Sequence, residues 1–307
     1  MRPSLLRVIP RGPTLLALGV LLGLAFPALA DLARPLMPMT IFLIVLGTLL
    51  RIDSQAVIAA LRRPSLSLLL PAIVMVACPV LVGAAGYGLN LAPEITLAIV
   101  LAVSAPPSSG TAAVARMLGL DGAVPLVVTV LSMVLAPITV PLLASWFGGL
   151  EISSLELALR LALLIGSAEG VALLARRQAA SMLAAHGEVV DGIIVMALLV
   201  FAVATMAGIR AQIAADVQAA LLCLGLAFAC NLGLQATGVL LLPGNLGQRL
   251  TVGLILGNRN VGLVWSALGT AASPRIALYF AAAQFPIYLL PRLIETLIGQ
   301  DTGKAKL

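Results

Sequence analysis

Long apolar runs separated by short connectors make up almost all of the 307-residue chain. Each run is close to the roughly 17–25 apolar residues that an α-helix needs to cross the hydrocarbon core of a bilayer. The connectors carry charges or helix breakers, as in Arg51-Ile52-Asp53 and Leu242-Pro243-Gly244-Asn245. The pattern predicts an all-α membrane protein with ten spans, at residues 14–31, 35–50, 66–89, 94–118, 122–148, 155–175, 189–209, 216–242, 247–270 and 275–299.

Composition supports a membrane protein and excludes several other classes. Hydrophobic residues make up 61% and charged residues only 10% of the chain, whereas roughly a quarter of a typical soluble domain is charged. The net charge of +6 does not indicate nucleic-acid binding, because the basic residues occur singly or in pairs without interleaved aromatic residues. With one histidine, His186, and no CxxC spacing, neither a metal site nor a disulfide framework is predicted.

The distribution of Lys and Arg predicts the orientation of the spans. With a cytoplasmic N-terminus, twelve basic residues fall on the inner side and four on the outer side, which is the asymmetry of the positive-inside rule. We therefore predict a multi-pass protein of the inner (plasma) membrane with both termini in the cytoplasm. Residues 1–30 also resemble a signal peptide, but nine further spans follow, so they are interpreted as a retained first helix. The outer residues are Arg34, Arg160, Arg210 and Arg275, and the inner ones are Arg2, Arg7, Arg11, Arg51, Arg62, Arg63, Arg116, Arg176, Arg177, Arg249, Lys304 and Lys306.

The two halves of the chain, residues 1–149 and 150–307, share short features in the same order. Cys78 precedes Pro106 by 28 positions, and Cys230 precedes Asn258 by the same 28 positions. Because each half holds five spans, the second half would insert upside down. The sequence therefore predicts two inverted five-helix repeats, an architecture that recurs in secondary transporters.

Span 4 is interrupted in its middle by Pro106-Pro107. Two consecutive prolines remove two backbone donors, and their rings clash with the preceding turn. The following Ser108, Ser109 and Gly110 are residues that favour an N-cap, so they predict the start of a second half-helix.

Span 9 carries Gly257-Asn258-Arg259-Asn260 at the matching position of the second repeat. Non-helical backbone at membrane depth is tolerated only when it is buried in protein or lines a wet cavity. Two matched interruptions therefore predict a binding site near the midplane of the membrane. The alternative is structural, with the prolines forming a kink and the asparagines forming a contact between helices.

Arg259 is a charge predicted at membrane depth, where insertion costs at least about 2.5–3.5 kcal/mol. It is predicted either to bind an anionic substrate or to replace a bound cation. The alternative is a fixed ion pair with Glu169, the carboxylate deep in span 6. Glu169 in turn is a candidate for proton coupling.

These segments resemble the bile acid:sodium symporter family of secondary transporters. The resemblance implies a core domain of spans 3–5 and 8–10, in which the broken spans 4 and 9 cross, and a panel domain of spans 1, 2, 6 and 7. It also implies an organic anion as substrate, bound between the domains, and alternating access. The segments that carry it are Ser108–Ala112, Thr129–Ser132, Ala136–Pro141 and Gly257–Leu263.

The sodium ligands that the resemblance implies are incomplete in this chain. Thr111 matches a small polar ligand of the family, but the next position is Ala112 where the family has an Asn. Thr129 matches a family Thr, whereas a family Ser falls on Pro125. The residues predicted to bind substrate or ion are Ser104, Pro106, Pro107, Ser108, Ser109, Gly110, Thr111, Thr129, Ser132, Asn258, Arg259, Asn260 and Gln284.

In span 9 the acidic sodium ligand of the family falls on Ile255, and a family Gln falls on Arg259. These departures argue against sodium as a cofactor and favour a fixed positive charge in its place. The alternatives are a sodium-independent or proton-coupled carrier or exchanger of small carboxylates and, outside the transporters, an ion channel. An enzyme is not predicted, because the sequence has no HExxH, Ser/His or paired-carboxylate motif. The expected partners are an organic anion and the lipid bilayer, with no prediction of oligomeric state.

Overall fold

The computed structural model describes residues 12–50, 55, 58, 59, 62–148, 150–241 and 243–304, with the backbone alone for residues 12–15, 184 and 291–304. The predicted connector Arg51-Ile52-Asp53, Leu242 of the second connector and Gly149 at the predicted repeat boundary lie outside these ranges, as do Arg2, Arg7, Arg11 and Lys306. Within them, the chain is helical almost throughout and forms no β-strand.

Fourteen helices are numbered here in chain order over the described residues. They are α1 (Gly12–Ala25), α2 (Pro27–Leu50), α3 (Ser65–Gly88), α4 (Pro93–Val103), α5 (Thr111–Met117), α6 (Ala123–Phe147), α7 (Ser154–Gln178), α8 (Ala180–Ala185), α9 (Gly187–Ala204), α10 (Ile209–Ala215), α11 (Val217–Leu241), α12 (Leu246–Gly257), α13 (Val261–Leu268) and α14 (Pro274–Lys304).

Six of the described helical segments are long and apolar enough to cross a membrane, namely α2, α3, α6, α7, α9 together with α10, and α11. Shorter apolar segments lie at Leu16–Ala25, Pro93–Val103 and Val261–Ala271. Large apolar side chains such as Trp146, Leu163 and Leu241 are more than two-thirds exposed. A surface of that kind suits lipid rather than water, so the chain is a membrane protein.

The boundary predicted between spans 1 and 2 is wrong. The sequence placed a connector at residues 32–34, but the helix is continuous from Pro27 to Leu50, with one 3-10 turn at Arg34–Leu36 that accommodates Pro35. The break lies instead at Phe26, which has φ −121° and ψ 78°. A residue before proline is sterically disfavoured in the helical conformation, and Pro27 suits the first turn of the new helix.

The helices pack in two groups. The first helix group comprises α1, α2, α7 and α9, in which α9 packs against α1 and α2, and α7 packs against α2. The second helix group comprises α3, α4, α5, α6, α11, α12, α13 and α14, in which α11 packs against both α12 and α14, and α14 packs against α4. The two groups are in contact through α7 with α6 and through α13 with α2 and α7. The largest buried side chains, Trp265, Tyr279 and Phe280, belong to the second group.

Asp216 fixes the start of α11. Its Oδ1 accepts a hydrogen bond of 2.9 Å from the Ala219 amide, as an N-cap side chain does. Its Oδ2 accepts one of 3.3 Å from Nη1 of Arg275, near the start of α14. The Ala219 amide, followed by Arg275, lowers the pKa of the Asp216 carboxyl below its usual value. These bonds tie together the adjacent ends of two helices of the second group.

The contact between α11 and α12 depends on two glycines. A Cβ added at Gly238 would lie 2.7 Å from both the Cα and the amide N of Gly253. Small residues permit this close approach of two helix backbones within a membrane.

We expect Gly238→Ala to lower the free energy of unfolding by about 1–3 kcal/mol, because the backbone of α12 has to move away. Gly233→Ala in the same helix is the matched control, since a Cβ there meets nothing within 4 Å. The measurement is thermal unfolding of the detergent-solubilised protein. Equal stability of the two variants would contradict the close contact.

Candidate functional site

The two predicted helix interruptions occur, and they are hydrogen-bonded to each other. The Ser108 amide donates to the Asn258 carbonyl at 2.8 Å, and the Asn260 amide donates to the Pro106 carbonyl at 2.7 Å. These bonds form a short antiparallel bridge centred on Pro107 and Arg259. The amides and carbonyls freed by the breaks are thus hydrogen-bonded inside the protein. This is required within a membrane, because no water is present there to bind them. Segments 150 residues apart in the chain therefore form one site.

The half-helices that follow the breaks begin differently. At α13 the Oδ1 of Asn260 accepts a hydrogen bond of 3.3 Å from the Leu263 amide, so Asn260 is an N-cap. At α5 the N-cap is Gly110, one of the three residues predicted to offer a cap, and it makes no side-chain bond. The Ser108 hydroxyl accepts a bond of 3.4 Å from the Gly110 amide.

Arg259 occupies the centre of the paired breaks and is only 3% exposed. Its Nε donates to the Leu256 carbonyl at 2.8 Å. Its Nη1 donates to the carbonyls of Val74 at 2.9 Å and Ala105 at 3.4 Å. Leu256 lies in the last turn of α12, and Ala105 lies just beyond the end of α4. The guanidinium therefore lies where two half-helices present the negative ends of their dipoles.

The third carbonyl, that of Val74, is available because of a local widening of α3. Residues Ile73–Ala77 form a π-helical segment, in which the Cys78 amide donates to the Ile73 carbonyl. In a π-helix each carbonyl accepts from the amide five residues later, so the donor for the Val74 carbonyl would be residue 79. That residue is a proline, which has no N–H. The π segment and Pro79 together leave the Val74 carbonyl free to accept from Arg259.

No carboxylate neutralises Arg259 among the described residues. The titratable groups that interact with its guanidinium are the thiols of Cys78, which is also in hydrogen-bonding contact, and Cys230. The ion pair with Glu169, the alternative drawn from the sequence, is not formed in this structure, since the bonds of Arg259 go to backbone carbonyls. Glu169 is half-buried in α7, outside the paired breaks.

Buried polar atoms without a hydrogen-bond partner concentrate at the paired breaks. Each such atom costs about 1–3 kcal/mol, so a cluster of them in the described part of the chain indicates a place for a polar ligand or water. Four further atoms of this kind, on Thr96, Ser132, Trp265 and Ser266, belong to helices of the second helix group. The atoms at the breaks are Asn258 Oδ1, Arg259 Nη2, Asn260 Nδ2, Ser109 Oγ and Thr111 Oγ1.

The remaining predicted site residues differ in their positions. Thr129 and Ser132 are buried on α6, which packs against both α5 and α12. Ser104 ends α4, where its hydroxyl donates to the Leu101 carbonyl at 2.9 Å. Gln284 lies on α14 and is bonded within its own helix, to the Phe280 carbonyl at 3.2 Å and to the Tyr288 hydroxyl at 2.5 Å. Its polar atoms therefore do not belong to the unpartnered cluster.

The set of sodium ligands that the resemblance implies is incomplete. Hard cations are held by several oxygen ligands, and of the matching positions Thr111 and Thr129 each supply a hydroxyl. At three others, Ala112, Pro125 and the fully buried Ile255 have no side-chain oxygen. The carbonyls at the ends of the half-helices are already bound by the cationic Arg259.

Asn231 and Gln235, on α11, are functional candidates that sequence reasoning missed. The Asn231 Nδ2 donates to the Gly257 carbonyl at 2.8 Å, which is the last carbonyl of α12. The Gln235 Nε2 donates to Asn231 Oδ1 at 2.6 Å. A Cβ at Gly257 would lie 2.4 Å from Cγ of Gln235, so glycine is required there. The sequence feature that could have identified them is a pair of polar residues four positions apart in an otherwise apolar span.

Two cavities lie near these helices. A narrow, mostly apolar one reaches Arg259 between α11 and α14, lined among others by Asn231, Gly257 and Tyr279. A wider one at the surface lies at the connector between α6 and α7, beside Ser145 and Ser154. The wider cavity contains none of the predicted site residues, so only the narrow one belongs to the candidate site.

Comparison of the chain with profiles of known protein families and with curated proteins finds no match. The resemblance to the bile acid:sodium symporter family therefore rests on the short motifs of spans 4, 5, 9 and 10. Function is inferred below from those motifs and from the geometry of the paired breaks.

We expect Asn231→Leu to lower the free energy of unfolding by about 1–3 kcal/mol, because it leaves the buried Gly257 carbonyl without a donor. Gln235→Leu is the comparison, since Gln235 donates to Asn231 rather than to the backbone of the break. The expected order in a thermal unfolding series is wild type, then Gln235→Leu, then Asn231→Leu as the least stable. The reverse order would show that Asn231 does not hold the end of α12.

Proposed function

We propose that this chain is a secondary transporter of an organic anion, similar to the bile acid:sodium symporter family but independent of sodium. The observation that carries the proposal is the position of Arg259. Its guanidinium is bound by three backbone carbonyls at the junction of two broken helices, and its Nη2 atom has no partner.

The proposed architecture has ten spans in two inverted repeats, residues 1–149 and 150–307. Span 4 consists of α4 and α5, span 9 consists of α12 and α13, and the breaks between them are paired. The first helix group supplies the proposed panel domain, and the second supplies the proposed core domain. Alternating access would be a movement of one group against the other around the breaks.

An anion suits the donors left free at the breaks. Arg259 Nη2 and Asn260 Nδ2 are buried donors without partners. Carboxylates form strong, charge-assisted hydrogen bonds with guanidinium groups, and a planar guanidinium is less strongly hydrated than an ammonium group. The narrow cavity beside Arg259 has a volume of about 20 Å³ in this structure, which is room for about one water molecule. The apolar part of an organic anion would therefore bind in a more open state of the protein.

The same arginine argues for sodium independence. In broken-helix transporters, a mobile cation commonly binds the C-terminal ends of half-helices. Here the guanidinium already binds the carbonyls of Leu256 and Ala105. We therefore propose facilitated diffusion, exchange or proton coupling, with Glu169 as the candidate proton carrier in the last case.

The test is uptake of a panel of labelled organic anions, small carboxylates and larger amphipathic acids, into proteoliposomes with the purified protein. We expect saturable uptake whose initial rate is unchanged when the sodium gradient is removed. A pH gradient that drives accumulation, with loss of that accumulation in Glu169→Gln, would identify protons as the coupling ion. Concentrative uptake only with sodium would contradict the proposed role of Arg259.

We expect Asn260→Asp to raise the KM for the anion by about 10–100-fold, because it replaces the free Nδ2 donor by a carboxylate oxygen while keeping the cap of α13. Asn245→Asp is the matched control, since Asn245 caps α12 through the same type of bond but is exposed. Equal KM values for the two aspartate variants would show that Asn260 does not contact the anion.

Arg259→Ala is expected to abolish uptake, because it removes the positive charge at the centre of the paired breaks. Unchanged uptake in Arg259→Ala would rule out the proposed role of Arg259.

A further inference from the structure

The half-helix α13 is held along its length by the first helix group. At its N-terminal end, a Cβ added to Gly262 would lie 2.3 Å from Cζ of Phe201 on α9 and 2.7 Å from Cδ1 of Ile41 on α2. In its middle, the guanidinium of Arg34 lies 5.3 Å from the ring centroid of Trp265, within the range of a cation–π contact.

Arg160 of α7 binds the C-terminal end of α13. Its Nη1 donates to the carbonyls of Ala267 and Leu268, both at 3.2 Å. Its Nη2 is bound to Glu156, one turn earlier in α7, at 2.6 Å. Gly269, with φ 58°, ends α13, and a 3-10 turn, Gly269–Ala271, follows it. Arg160 therefore adds side-chain donors at the end of α13, where the regular α-helical bonds stop. The positive charge also complements the negative end of the helix dipole.

The half-helices on the other side of the breaks have no such contacts. Within the described residues, α5 and α12 pack against α6, α11 and each other, and no helix of the first group packs against them to a comparable extent. Gly110, at the start of α5, is exposed, and a Cβ there would meet only the Ser108 hydroxyl, at 3.8 Å. The first group therefore contacts the half-helix on one side of the breaks and not, to a comparable extent, the half-helices on the other side.

We infer that the contacts of α13 with Ile41, Phe201, Arg34 and Arg160 form an external gate, and that this structure is the state in which that gate is closed. The inference rests on the proposed transporter function, which supplies the need for two states. The side is assigned by charge, since Arg34 and Arg160 are among the four basic residues that the positive-inside pattern places outside. Opening the gate would break two hydrogen bonds, one cation–π contact and one close packing contact.

Two variants are designed to open the gate in different ways. Arg160→Gln removes the charge and the paired donors at the end of α13, whereas Gly262→Ala adds a Cβ that pushes Phe201 and Ile41 away. Each has a matched control. Arg210→Gln changes an outer arginine of α10, whose Nη1 donates to the Ala25 carbonyl at the end of α1. Gly225→Ala adds a Cβ where nothing lies within 4 Å.

The readout is labelling by a membrane-impermeant sulfonated thiol reagent, quantified by mass spectrometry in vesicles of known orientation. Met37→Cys reports on the external side, because Met37 lies on α2 between Arg34 and Ile41 and is only 3% exposed. Gly110→Cys reports on the internal side. We expect Arg160→Gln and Gly262→Ala to accelerate external labelling of Met37→Cys at least tenfold and to slow internal labelling of Gly110→Cys, while both controls leave the two rates unchanged.

The two rates separate a gate from local loosening. Faster labelling of Met37→Cys without slower labelling of Gly110→Cys would overturn the inference, as would unchanged rates in both gate variants. External labelling of Gly110→Cys in the parent would overturn the assignment of sides and the gate with it. Labelling needs no substrate, so it tests the gate separately from the proposed function. Faster external and slower internal labelling without any anion uptake would support the gate and reject the proposed substrate class. Anion uptake without these two changes in labelling would support the substrate class and reject the gate.

Discussion

The structure depends on satisfying the backbone groups that two helix breaks expose at membrane depth. Water is absent there, so each freed amide and carbonyl needs a partner within the protein. The breaks supply two of these bonds to each other, through Ser108 and Asn260. Of the carbonyls that remain, Arg259 binds those of Leu256 and Ala105, and Asn231 binds that of Gly257. Arg259 also binds the Val74 carbonyl, which the π segment of α3 frees. The buried charge is thus first a structural element, and its free Nη2 atom makes it available for a ligand as well.

A fixed cation in the site limits which ion gradients can drive transport. A bound ion drives transport only if its occupancy differs between the two states of the carrier, because coupling is a difference in binding free energy. A guanidinium attached to the backbone cannot leave the carbonyls of Leu256 and Ala105 and enter solution. In the proposed transporter it would support anion binding in both states without storing energy from an ion gradient. Coupling would then require a second group, such as Glu169, or the countertransport of another anion.

The features that sequence predicted best are those set by local chemistry. Pro106-Pro107 must interrupt a helix whatever surrounds it, and polar Asn258 and Asn260 in an apolar span need buried partners. The first span boundary was wrong because the charges at Asp31 and Arg34 suggested a connector, while the steric effect of Pro27 on Phe26 decided the break. Asn231 was missed because its partner, the Gly257 carbonyl, is 26 residues away in the chain. Ten spans and the repeat remain predictions, since six helical segments among the described residues are long enough to cross a membrane.

The two breaks are matched in position but opposite in chemistry, and this difference accounts for their pairing. Pro106-Pro107 supplies carbonyls and removes two amide donors, so a junction of two such breaks would contain acceptors in excess. Asn258-Arg259-Asn260 supplies side-chain donors in addition to its amides, and a junction of two such segments would bring two guanidinium groups together. One break of each kind balances donors against acceptors around a single positive charge. If the halves descend from one repeat, the requirement for a balanced junction would have driven them apart at this position while preserving the place of the break.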